Sequence, residues 1–277
     1  MAFVNELSCE CTKSELDLFA VPPTQTSIQQ AGWVEYQPLT SILGNAPIEF
    51  DVIGSGEDYM DLANVLLYVR AKIVKNNNED LAAAATSAPV NLLLHSMFSQ
   101  VDVTLNGTLI SSSTNTYPYR SMLETLLSYG EDAKKSQLTS ELFYKDEAGN
   151  MDETVIAAAD GHQPNSGLLQ RRAFVAESRE FDMIGRIHGD IFFQERYMLN
   201  EVGMKIKLVR SKDSFCLMGA ADAKARRDPR LTVCAKSETV SVRVPRTRQG
   251  VGEQHCQISY KTSGMQNVCH SAELPRR

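Results

Sequence analysis

Between Leu62 and Val74 the chain is apolar at every second position. Val65, Leu67, Val69, Ala71 and Ile73 fall on one face, and Tyr68, Arg70 and Lys72 on the other. Successive side chains of an extended chain point to opposite faces, so this period of two predicts a strand with one buried and one wet face. The pattern recurs. Ile48-Glu49-Phe50-Asp51-Val52 alternates apolar and acidic, and Val101, Val103 and Leu105 alternate with Asp102 and Thr104. Phe181, Met183, Gly185 and Ile187 share a face opposite Asp182, Arg186 and His188, and Val202, Met204, Ile206 and Leu208 alternate with Lys205 and Lys207. Asn106-Gly107 between Leu105 and Thr108-Leu109-Ile110 predicts a two-residue hairpin turn, because a type I′ turn needs positive φ at both central residues.

One helix is predicted among the strands. Tyr119, Met122, Leu123, Leu126 and Leu127 recur at helical spacing, Pro118 suits a first helical position, Thr116 lies near enough to cap, and Gly130 closes the segment. This apolar stripe is expected to pack on a sheet. Residues 131–172 read as a long solvated loop whose acidic residues Asp146, Glu147, Asp152 and Glu153 miss the spacing of a calcium-binding EF-hand. Gly54-Ser55-Gly56 reads as a turn, since no Gly-Lys-Ser/Thr follows to make a phosphate loop. Several strands, one or two inserted helices and long excursions predict an all-β, antiparallel jelly-roll sandwich rather than a βαβ fold.

The 277 residues, 43% of them hydrophobic, suffice for one large core, and no apolar run is long enough for a membrane helix. Met1-Ala2-Phe3-Val4-Asn5-Glu6 lacks the basic and apolar regions of a secretory leader, and Ala2 stands where a myristoylation signal needs glycine. Reduced thiols are therefore expected at Cys9, Cys11, Cys216, Cys234, Cys256 and Cys269, and Asn106-Gly107-Thr108 is not expected to carry a glycan. A formal charge of −6 argues against a general nucleic-acid binder.

Catalytic chemistry leaves no visible trace. Among His95, His162, His188, His255 and His270, no two are spaced as metal ligands on a strand, and His188 is expected to face solvent or a polar partner. Cys9-Glu10-Cys11 lacks two further ligands at zinc spacing. No serine sits in a Gly-x-Ser-x-Gly elbow, and no cysteine has an evident histidine partner. No catalytic residue, no cofactor and no metal ligand is predicted.

A family resemblance rests on several segments in order. They are Ser14-Glu15-Leu16-Asp17-Leu18-Phe19, Val21-Pro22-Pro23-Thr24-Gln25-Thr26, Pro47–Val52, Gly54–Tyr59, Asp61-Leu62-Ala63-Asn64, Leu94–Val103, Leu105-Asn106-Gly107, Asn115–Arg120, Glu124–Gly130 and Arg210–Met218. Over about residues 9–226 the chain resembles an abundant uncharacterised family of invertebrate genomes, similar in turn to the hexon-like major capsid proteins of Polinton/Maverick and adintovirus-type elements. The resemblance implies two consecutive jelly rolls per subunit, homotrimers that tile an icosahedral shell, and minor capsid and penton proteins as further partners. It implies no enzymatic activity, no membrane and no specific nucleic acid. A functional copy would reside in the virion, and an endogenised one inside the cell, in cytoplasm or nucleus, and not secreted.

These readings divide the chain into an N-terminal arm (1–47), a first jelly roll (48–226) and a disordered basic tail (227–277). Val242–Gln254, back-translated and read one base along, permits a sequence that resembles the family's continuation. The tail therefore reads as out-of-frame, and the chain as a structural major capsid protein or its truncated, endogenised relic, which cannot build a shell alone. A genuine basic tail that binds nucleic acid is the alternative. A host-retained jelly-roll module binding glycans or proteins is the alternative for the whole chain, although Trp33, the one tryptophan, falls in the expected arm.

Overall fold

The computed structural model describes residues 24, 28–42, 46–53, 58–83, 85–111, 113–155, 164–219 and 223–240. The first half runs through β1 (Ile28–Tyr36), β2 (Ile48–Val52), β3 (Tyr59–Lys75), β4 (Ala88–Pro89), α1 (Leu93–Ser96), β5 (Phe98–Leu105) and β6 (Thr108–Leu109). Three helices follow, α2 (Tyr117–Ser128), α3 (Glu131–Lys135) and α4 (Ser166–Val175). A 3-10 turn at Gln137–Glu141 lies between the last two, and others follow at Ala176–Ser178 and Asp190–Phe193. The chain then returns through β7 (Phe181–Arg186), β8 (Met204–Arg210), α5 (Asp213–Cys216), β9 (Leu217–Met218) and β10 (Ala223–Val240).

Two four-stranded sheets form, β1-β10-β3-β7 and β2-β8-β5-β6, with β4 and β9 as a small third pair. Every ladder is antiparallel. Setting the small pair aside, the strands lie in the order first-eighth-third-sixth in one sheet and second-seventh-fourth-fifth in the other. That order is a complete jelly roll, two Greek keys folded into a sandwich. The predicted all-β jelly roll is the observed fold.

The alternating residues fill the space between the sheets. Val65, Leu67, Val69, Ala71 and Ile73 of β3 share one buried cluster with Phe50 of β2, with Met204, Ile206 and Leu208 of β8, and with Val103 of β5. The hairpin forms as predicted, with Asn106 at φ 46 and Gly107 at φ 81 joining β5 to β6.

Both expected domain boundaries move. Residues 28–36 of the predicted arm form β1, and the predicted tail begins inside β10, the strand between β1 and β3. Leu231, Val233 and Ala235 are buried in the core, on a strand paired in register with β3 and β1. The run Arg226-Arg227-Asp228-Pro229-Arg230 hid this strand. Proline has no N–H to give a ladder, and the register shifts between Arg227 and Leu231, where Pro229 lies. The out-of-frame reading of Val242–Gln254 concerns residues outside those described, as does the turn at Gly54-Ser55-Gly56.

Two further expectations fail. Residues 131–172 contain α3, a 3-10 turn and most of α4 instead of one solvated loop. Thr116 makes no side-chain cap to α2; its hydroxyl pairs with that of Thr114.

Candidate functional site

Where the helical insertion between β6 and β7 meets the sandwich, four elements converge on a buried polar cluster. The short helix α1 buries His95 completely. The 3-10 turn delivers Glu141 over β7, and Gly185 leaves room for it, because a Cβ there would collide with the Glu141 carboxylate. His188 follows β7 directly. Tyr117 opens α2, and Glu124 stands further along the same helix.

Hydrogen bonds thread these groups in series. Glu141 Oε2 lies 3.2 Å from His95 Nε2, and His95 Nδ1 lies 2.9 Å from the Tyr117 hydroxyl. That hydroxyl accepts the His188 backbone N–H at 3.3 Å, which leaves its proton for His95 Nδ1. His95 is then the Nε2–H tautomer and donates to Glu141. His188 Nδ1 is 2.7 Å from Glu124 Oε2. Arg120 donates to Glu124 Oε1 at 2.7 Å and to Asp190 at 2.6 Å, so the series ends at the surface. The His95 and His188 rings meet edge to face, 4.6 Å between centroids.

Burial sets the protonation. Desolvation, aided by nearby His95, lowers His188 to a pKa of about 4 against the pull of Glu124, so His188 is neutral at pH 7. Burial likewise pushes the Tyr117 hydroxyl upward and keeps it a phenol. A cleft of about 70 Å³, lined by Tyr117, Arg120, His188, Asp190 and Phe192 among others, opens onto this cluster.

A second polar knot lies under α4. Arg171 is fully buried and donates to the carbonyls of Pro89 at 3.0 Å and Tyr144 at 2.9 Å, and to Asp146 at 2.8 Å. Asn165 caps α4 through the N–H groups of Gly167 and Leu168, and its amide donates to Asp146. Asp146 is thus a counter-ion, not the solvated loop acid expected. Glu147 accepts the Ser166 hydroxyl, and Glu153 accepts the backbone N–H of Val155.

The remaining candidates separate. Cys216 is a free, buried thiol raised to about 12 by desolvation, and so no nucleophile at neutral pH. Cys234 is free on β10. Cys9, Cys11, Cys256, Cys269, His162, His255 and His270 lie outside the described residues. Trp33 stands 53% exposed on edge strand β1. His188 is not solvent-facing; it is buried and paired. The convergence of His95 with His188 was invisible in the sequence, because Glu141 and the two histidines come from distant segments with no local spacing to betray them.

The outer face of α2 reverses expectation. Its buried residues are Tyr117, Pro118, Ser121 and Thr125. Tyr119, Leu123, Leu126 and Leu127 point outward, with Leu123 59% and Leu127 85% exposed. Of the predicted stripe, Met122 alone packs on a buried cluster, that of Leu92, Leu138 and Phe143. Phe215 meets Tyr119 edge to face and extends the apolar patch.

No family model matches the chain. It is 23% identical over 205 residues to an uncharacterized protein of Caenorhabditis elegans, covering 71% of this chain and 45% of that protein. A chain in the cryo-EM structure of the Sputnik virophage superposes with a TM-score of 0.54 at 12% identity, covering 87% of this chain and 54% of that one. The Faustovirus major capsid protein superposes with a TM-score of 0.52 at 8% identity, covering 81% and 56% respectively. The likeness is one of fold, and the chain spans about half the length of the relatives it matches.

Proposed function

We propose that this chain is the first roll of a hexon-like, double jelly-roll major capsid protein of the Polinton/Maverick type, and that its role is to build a shell, not to catalyse a reaction. The observation that carries the reading is the inverted α2. A helix that turns Ser121 and Thr125 inward and a row of large apolar side chains outward has an apolar face that water does not favour. Such a face suits a partner surface, and lateral contact between copies is what a shell requires. Edge strand β1, with Trp33 and Val34 exposed, adds a second uncovered surface. The jelly-roll order of the strands and the likeness in fold to a major capsid protein agree with this role.

In this reading the intact subunit pairs the roll with a second one, three subunits make a trimer, and trimers meet penton and minor capsid proteins in the virion. The roll alone associates but does not close a shell. Negative-stain electron microscopy of the purified chain tests this. Irregular small assemblies are expected; particles that stay monomeric at tens of micromolar would count against the role, and closed shells would show that no second roll is needed.

A further inference from the structure

We propose that His95, Glu141 and His188 form a binding site for one divalent transition-metal ion, zinc in the first instance, which pins the helical insertion to the sandwich. One ligand atom from each residue lies within 4.8 Å of the other two. All three are buried, at 0%, 5% and 4% exposure. Tetrahedral zinc, at about 2.0–2.1 Å from nitrogen or oxygen, holds its ligand atoms about 3.3 Å apart. The His95 Nε2 to Glu141 Oε2 separation of 3.2 Å already matches that spacing, and His188, within 4.8 Å of both, needs to close by no more than about 1.5 Å.

The surroundings fit an ion as well as the ligands do. A metal-bound imidazole is oriented by a partner on its other nitrogen. Glu124 serves His188 Nδ1 in this way, and is itself held by Arg120. Tyr117 serves His95 Nδ1. A metal on His95 Nε2 would leave the ring proton on Nδ1, facing the Tyr117 hydroxyl.

Charge points the same way. Glu141 places its carboxyl oxygens deep among imidazole and phenol groups, where a dication would find an anionic ligand. Two imidazoles and one carboxylate favour zinc and its first-row neighbours over calcium or magnesium, which prefer oxygen-only sets. The cleft beside His188 gives an ion a path, and a water ligand a place. The ion would join α1, the 3-10 turn and the end of β7, three segments distant in sequence.

The test uses the full chain, stripped with chelator, kept reduced and dialysed against zinc or cobalt(II). A single ion per chain is expected by elemental analysis, with a rise in melting temperature. The cobalt form should show the weak visible bands of nitrogen and oxygen ligands without a thiolate charge-transfer band. Glu141→Gln and His188→Ala should weaken binding at least about tenfold, and Cys9→Ser with Cys11→Ser should leave it unchanged. A folded wild-type chain that retains no stoichiometric metal would overturn the proposal. So would a cobalt spectrum dominated by thiolate and abolished by the cysteine substitutions. The wild-type spectrum decides even if the site variants do not fold.

Discussion

In the sandwich, β3 turns seven apolar side chains inward and leaves Arg70 and Lys72 outside, where each pairs with an acid, Arg70 with Asp182 and Lys72 with Asp80. The helices and turns between β6 and β7 mix the two. Arg171 and Glu141 are inside beside Leu138, Phe143 and Leu168, and Leu123 and Leu127 are outside. The sandwich is held by burial of apolar area, which is non-directional and tolerates change. The insertion adds to apolar burial a set of hydrogen bonds to buried polar groups, where losing one partner strands the others. One chain thus carries two kinds of region: a sandwich whose strands turn apolar faces inward, and an insertion whose helix α2 turns an apolar side outward.

The sharpest way to break this comparison is Arg171→Met. It keeps much of the volume but withdraws donors from Pro89, Tyr144 and Asp146. A loss of about 3–5 kcal/mol is expected, read by equilibrium urea unfolding; a loss below that of a conservative core swap would show that the polar knot does not hold the insertion. Next in size is Gly107→Ala. With φ at 81, the new Cβ is strained in the left-handed region, for about 1–2 kcal/mol, measured in the same way. Ile206→Val in the core of β8 sharpens the contrast from the other side. It removes one methyl group and should cost about 0.5–1.5 kcal/mol, with the unfolding midpoint as readout.

The sandwich was legible because each strand repeats a local pattern. Val65 to Ile73 and Met204 to Leu208 declare their buried faces within a few residues, and Asn106-Gly107 declares its own turn. The insertion was not, because its logic is tertiary. The stripe from Tyr119 to Leu127 has correct helical spacing, but spacing does not say which side faces the core. That side is decided by where Tyr117 and Glu124 must reach to meet the two histidines. Asp146 looked like a loop acid because Arg171, its partner, is 25 residues away. β10 was missed past Arg226 because arginines and Pro229 mimic a solvated tail, while the pairing that makes it a strand comes from β1 and β3.

The smallest effect on stability and the largest on association are expected from one substitution pair, Leu123→Asp with Leu127→Asp. Both side chains are largely in water, so each change should move the folding free energy by no more than about 0.5 kcal/mol. Sedimentation velocity on the wild-type and doubly substituted chains, across a concentration series, tests most directly whether the outward face of α2 exists to meet another copy. The expected result is a wild-type chain that shifts to larger species as concentration rises and a variant that stays monomeric with an unchanged unfolding midpoint. A wild-type chain that is monomeric throughout, or a variant that associates equally well, would contradict it.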